Sequence, residues 1–151
     1  ILIYLMRPHL KISPQIAFKD GKYFVKIVNA SLASIVDVKI EVKVHKSRET
    51  KRGSHVDSGL ANINQSTFNI LPGQLTQSGW KYKEYAKWIE IQHDLDEKWD
   101  GKLFNFMSVN IVAKHGISGM VGSSKRLYYS KKESIKAGEF LAGNRLEIRD
   151  L

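Results

Sequence analysis

IVDVKIEVKVHK, residues 35–46, alternates apolar and polar side chains along its length. Val36, Val38, Ile40, Val42 and Val44 fall on one side of an extended chain, and Asp37, Lys39, Glu41, Lys43 and His45 on the other. A period of two is the strand period, because successive Cβ atoms point to opposite faces of a sheet. The apolar side is β-branched, and stiff χ1 angles suit a pleated surface. The stretch predicts a long strand with those five apolar residues facing a core and Lys39, Glu41 and Lys43 facing out.

Upstream, KYFVKIVN (residues 22–29) reads as a second strand. The preceding KDGK, residues 19–22, carries an Asp-Gly pair, a hairpin signal because Gly accepts positive φ. Residues 12–18 should therefore pair with residues 22–29, with Pro14 placing their start at an edge or a bulge. Downstream, STFNILPG reads as a short strand closed by a Pro-Gly turn. LFNFMSVNIVAK, residues 103–114, is apolar on both faces, as a central strand is, and brings Val109, Ile111 and Val112 to the core. HGISGM turns the chain, VGSSKRLYYS runs back, and FLAGNRLEIRD closes with a Gly-Asn turn and a short strand. Short strands with regular turn signals predict an all-β protein, an immunoglobulin-like β-sandwich with one or two short helical turns.

GWKYKEYAKWIEIQHDLDEKWDGK, residues 79–102, fits this frame least and holds all three Trp. Tyr82, Tyr85 and Trp88 share a helical face, whereas Ile89 and Ile91 keep a strand period. Asp94 and Glu97 resemble the cap of a short helix through Trp99, ended by Asp100-Gly101.

The chain opens ILIYLMRPHLK. A spanning helix needs roughly 20 apolar residues, which the first six do not supply. They match the last turns of such a helix, with Arg7, His9 and Lys11 as the basic flank of a cytoplasmic face. They also match an edge strand or a disordered tail, and Pro8 ends either element. A secretory signal would place its basic region before the apolar run. The first residue is Ile rather than Met, and the membrane reading expects the rest of the helix upstream. It divides the chain into residues 1–8, the end of a membrane helix plus linker, and residues 9–151, a single β-sandwich domain.

The formal charge is +9, from 24 Lys and Arg against 15 Asp and Glu, which favours anionic partners. There are no cysteines, so disulfides, thiolate metal sites and cysteine nucleophiles are excluded. No two of His9, His45, His55, His93 and His115 sit at helical ligand spacing, and His93 with Asp94, Asp96 and Glu97 reads as a solvated acidic turn. GISGMVG lacks the Lys-Ser/Thr of a phosphate loop, and Ser118 lacks the Gly-x-Ser-x-Gly elbow. The expectation is a non-enzyme with no catalytic residue, metal or cofactor. Two basic groups stand out: Lys46, Arg48, Lys51 and Arg52, and Lys125, Arg126, Lys131 and Lys132. Both read as solvated loops. A nucleic-acid platform would use aromatics interleaved as in RLYYSKK, but no recognition-module signature accompanies them, and nucleic acid is the lesser expectation.

The run from Arg7 to Gly53 resembles the start of the cytoplasmic domain of inward-rectifier potassium channels, bacterial members included. The matching features, in order, are Arg7-Pro8, Asp20-Gly21-Lys22, Val28-Asn29, the alternating strand, and Lys46-Ser47-Arg48. VNIVAKHGISGMVGSSKRLYY resembles the family's strand, Gly turn and returning strand, and AGEFLAGNRLEI its closing segment. Residues 73–102 do not match. The resemblance implies an ion channel-like role in potassium transport, membrane association on the cytoplasmic side, and a homo-oligomer, a fourfold ring, at full length. It also implies that Arg7 contacts anionic membrane lipid, since basic residues after the inner helix do so in the family; Lys11 matches in region only. The functional expectation is a membrane-tethered cytoplasmic β-sandwich domain with a regulatory or assembly role. The rival is a soluble binding module for a protein or nucleic-acid partner, with residues 1–5 as a strand.

Overall fold

A computed structural model describes residues 2–73, 86–92 and 95–150. Its first sheet contains β1 (Leu10–Ile12), β2 (Ile16–Lys19) and β3 (Lys22–Asn29). The second contains β4 (Ile35–Thr50), β5 (Gly53–Leu60) and β6 (Thr67–Leu71). β7 (Ala86–Ile91) returns to the first sheet beside β3, while β8 (Phe106–His115) and β9 (Val121–Tyr128) extend the second in the order β5-β4-β8-β9. β10 (Ile135–Ala137) pairs parallel to β2, and β11 (Glu139–Phe140) with β12 (Ile148–Arg149) forms a small closing hairpin. Among the described residues the helices are three single turns, α1 (Leu2–Leu5), α2 (Leu95–Lys98) and α3 (Lys131–Ser134). The fold is an all-β sandwich, as the strand pattern predicts.

The core lies where the inner faces of the two sheets meet. Val25 and Ile27 of the first sheet join Val38, Ile40, Val42, Val44, Val109 and Ile111 of the second in one apolar cluster. From Val38 onward the alternation holds, with Lys39 and Glu41 exposed and Lys43 half-buried. At its start it does not. Ile35 is fully buried, Val36 only half-buried, and Asp37 adopts φ 50°. The register against β8 shifts between Val36 and Lys39, the signature of a β-bulge. One extra residue in a strand reverses the phase of every side chain before it, so Ile35 takes the core position expected for Val36.

β8 needs a similar correction. Val109 and Ile111 are in the core, but Ala113 follows them and Val112 is half-buried on the outer face. Leu103 and Phe104 precede the strand in an exposed turn, with Phe104 at φ 68°.

The hairpin over residues 19–22 forms as expected. Asp20 and Gly21 take φ 53° and 74°, positive at both central positions, and Lys19 pairs with Lys22. The strand before it breaks at Ser13-Pro14-Gln15 into β1 and β2, because Pro14 has no N–H for the ladder. Ser13 repairs the break: its N–H donates to the Lys26 carbonyl at 2.9 Å, and its Oγ accepts from the Lys26 N–H at 3.1 Å. Its carbonyl accepts from Tyr128 Oη at 2.6 Å, tying the edge of one sheet to the edge of the other. Burial pushes the Tyr128 phenol up to about 12.

β3 is buried on both faces, since the closing hairpin covers its outer side with Phe140 and Ile148 against Ala17 and Phe24. Beneath this cover lies Lys26, 1% exposed, whose Nζ donates to the carbonyls of Leu141 and Arg145 at 2.7 Å each. Burial lowers its pKa, and Glu147 partly opposes that shift.

Within the Trp-rich stretch, residues 86–91 form a strand and residues 95–98 a helical turn. Trp99 is fully buried, donating through Nε1 to the Asn105 carbonyl, and Gly101 turns the chain at φ 74°. The expected helical face through Tyr82 and Tyr85 and the Asp94 cap lie outside the described residues.

Candidate functional site: the N-terminal end of the sandwich

α1 is one turn because Pro8 cannot continue it. Its carbonyls bond to Met6 and Arg7 N–H groups, and it buries none of its own residues. Leu2, Ile3 and Tyr4 are each about two-thirds exposed or more, at 73%, 65% and 66%. Hydrogen bonds and packing hold this segment in place. Ser118 Oγ donates to the Met6 carbonyl at 2.6 Å, and the His9 N–H donates to Ser31 Oγ at 2.7 Å. His9 Nε2 bonds the Tyr4 carbonyl at 2.7 Å, under the Tyr4 ring. Pro8 packs on Gly122, where an added Cβ would come within 3.1 Å of the proline ring.

Arg7 and Lys11 are both exposed at this end. Lys11 lies on β1, opposite Val28, and borders two open grooves between β1 and β9. One, of about 560 Å³, is lined by Lys11, Lys125 and Arg126 with no acidic residue. The other, of about 570 Å³, runs from Lys11 to the apolar side chains of Tyr4, Leu5 and Leu32. The structure thus brings Lys11 together with two β9 cations, while Arg7 lines neither groove. Adjacent cations beside exposed apolar groups create a surface that attracts an anion and accepts an apolar neighbour.

The sequence grouping of Lys125, Arg126, Lys131 and Lys132 does not survive as one patch. Lys131 bonds Asp96 at 3.1 Å and the Trp99 carbonyl at 2.7 Å, locking α3 against α2. Asp96 also accepts from Tyr23 Oη at 2.6 Å; these bonds hold its carboxyl below the usual range, and burial with the same contact raises Tyr23 to about 12. The convergence of Lys11 with Lys125 and Arg126 had no local sequence signal, because it joins residues 114 or more positions apart across two sheets.

The other basic group occupies the distal half of the β4–β5 hairpin, exposed throughout β5 and over residues 46–50 of β4. Arg48 pairs there with Asp57 at 3.4 Å. At its base His45 bonds Ser58 Oγ at 2.6 Å and Ser108 Oγ at 2.8 Å and stacks on Phe106. Burial, then Lys125 and Lys43, keep this imidazole below its ordinary pKa. Both ring nitrogens are taken by serines, Ser108 is buried, and no carboxylate orients the ring as a nucleophile's base requires. Among the described residues no three His, Asp or Glu side chains converge as a metal site; His93 and Asp94 lie outside them.

No protein-family model matches this chain, and no curated protein matches it.

Proposed function

We propose that the chain is a membrane-tethered β-sandwich domain on the cytoplasmic side, with a regulatory or assembly role and no catalysis, of the kind that inward-rectifier potassium channels carry. The observation that supports this most is the makeup of one end of the sandwich. An exposed apolar turn is followed by Arg7 and Lys11, with Lys125 and Arg126 alongside. No helix among the described residues is long and apolar enough to cross a membrane. On this reading the crossing helix lies upstream of Ile1, and the end bearing Arg7 and Lys11 faces anionic headgroups. Full-length copies would then form a homo-oligomer.

Each cation near an anionic leaflet contributes about 1 kcal/mol, so Arg7 and Lys11 together contribute about 2 kcal/mol. The test is co-sedimentation with anionic vesicles. Arg7→Ala/Lys11→Ala should bind on the order of 30-fold more weakly at low salt, with the gap closing as salt shortens the Debye length. Equal binding at low salt would remove both residues from the role.

The exposed β4–β5 hairpin favours a second reading, a soluble module that binds its partner along this basic ribbon. That reading expects vesicle binding to be weak and insensitive to Arg7 and Lys11.

A further inference from the structure

His115 ends β8 and is 1% exposed. Its Nδ1 accepts from the backbone N–H of Ile117 at 3.3 Å and of Ser118 at 3.2 Å. Its Nε2 is buried with no hydrogen-bond partner. A neutral imidazole has one N–H and one bare nitrogen. Two amides aim at Nδ1, so the proton resides on Nε2. The turn held this way, residues 116–120, also grips the N-terminal segment. Ser118 Oγ accepts from the Met120 N–H at 3.1 Å and donates to the Met6 carbonyl at 2.6 Å. Ring, turn and N-terminal segment therefore form one continuous set of contacts.

We propose that His115 is a proton-sensitive latch, whose neutral ring keeps the β8–β9 turn gripping Met6 and whose protonation releases residues 2–7 from the sandwich. A second proton has only Nδ1 to bind. Once there, it removes the acceptor of two amides and leaves a buried cation whose two N–H groups both lack partners. Opening the turn toward solvent relieves all of these at once. Nearby charges do not offset the change. Asp37 beside β4's Ile35 pairs with Lys114 of β8 at 3.6 Å, and no carboxylate bonds the ring. From the N-terminal side the ionisable groups are Tyr4, Arg7, His9 and Lys11, and none is a carboxylate. The latch does not depend on the membrane reading; if that reading holds, it would govern the position of Arg7.

NMR of the chain tests this, with ¹⁵N-labelled histidine and amide spectra followed on progressive acidification from about pH 8. At the upper limit His115 should show the Nε2–H tautomer. On acidification, the Ile117 and Ser118 amides and those of residues 2–7 should move together with the His115 ring, and Met6 and Arg7 should lose exchange protection. His115→Asn keeps a side-chain acceptor without a titrating group, so its N-terminal segment should stay pH-insensitive. Because His9 also bonds the Tyr4 carbonyl, His9→Gln is the control and should retain the response. A Nδ1–H tautomer in the wild type overturns the proposal. So does an N-terminal transition that persists in His115→Asn or vanishes in His9→Gln.

Discussion

Ile40 is 2% exposed at the middle of β4, paired with Ile111 across the sheet and packed against the opposite one. Truncating it removes buried surface and leaves a cavity between two sheets that cannot close freely, so Ile40→Ala should cost about 2–5 kcal/mol in chemical denaturation. Its exposed neighbour Lys39 should cost within about 0.5 kcal/mol on replacement by Ala. Comparable losses at the two positions would place the strand in the wrong register. Phe104 presents the opposite case. It holds a left-handed φ of 68° with its side chain 74% exposed, so it gains little from packing while bearing the backbone cost. Asn tolerates that region better, and Phe104→Asn should raise stability by up to about 1 kcal/mol. A loss of that size would mean that the phenyl ring makes contacts that its exposure hides. Alternation marked Ile40 plainly as a core residue. Nothing local marked Phe104 as a turn residue, since an apolar pair before an apolar strand has the same pattern as the strand.

At the level of elements, the closing hairpin depends on charge. Glu139 of β11 accepts from Lys19 of β2 at 2.6 Å and also bonds Arg149 of β12. Those two bonds hold its carboxyl at about 2, well below its ordinary 4.5. A depressed folded-state pKa means that this contribution is complete above about pH 4.5 and is lost as the pH falls toward 2. Glu139→Gln should therefore flatten the stability profile over that window and leave its slope near neutral pH unchanged. A variant with the same acid slope as wild type would assign the acid sensitivity to other carboxylates, with Asp96 and Asp100 next in line. Elements built from local signals were readable: the Asp-Gly hairpin, a disturbance of the first strand at Pro14 though not its division into β1 and β2, and the turn before β9. The bulge at Asp37 was less so, because adjacent Ile35 and Val36 fit either phase of the strand. Only the partner β8 decides which one points inward.

Over the molecule as a whole, β8 separates the two ends of the sandwich. β8 spans ten residues, roughly 33 Å at strand rise, between the Leu103–Phe104 turn and the turn that grips Met6. The end beyond His115 carries the exposed α1 turn, Arg7 and Lys11; the end before Phe106 carries the exposed Leu103 and Phe104 and abuts the basic hairpin. Both ends thus expose apolar and basic groups, and on the proposed function the N-terminal one meets the membrane. The absence of cysteine allows a direct measurement, with single spin labels at Ile3→Cys and at Leu103→Cys. Both positions are exposed, at 65% and 82%, so a label should leave the fold intact. With anionic vesicles at low salt, the label at position 3 should become accessible to oxygen in the acyl region and protected from an aqueous nickel quencher, while the label at position 103 stays open to the aqueous quencher. Protection of position 103 with position 3 left in water would contradict the account, and so would both labels remaining in water.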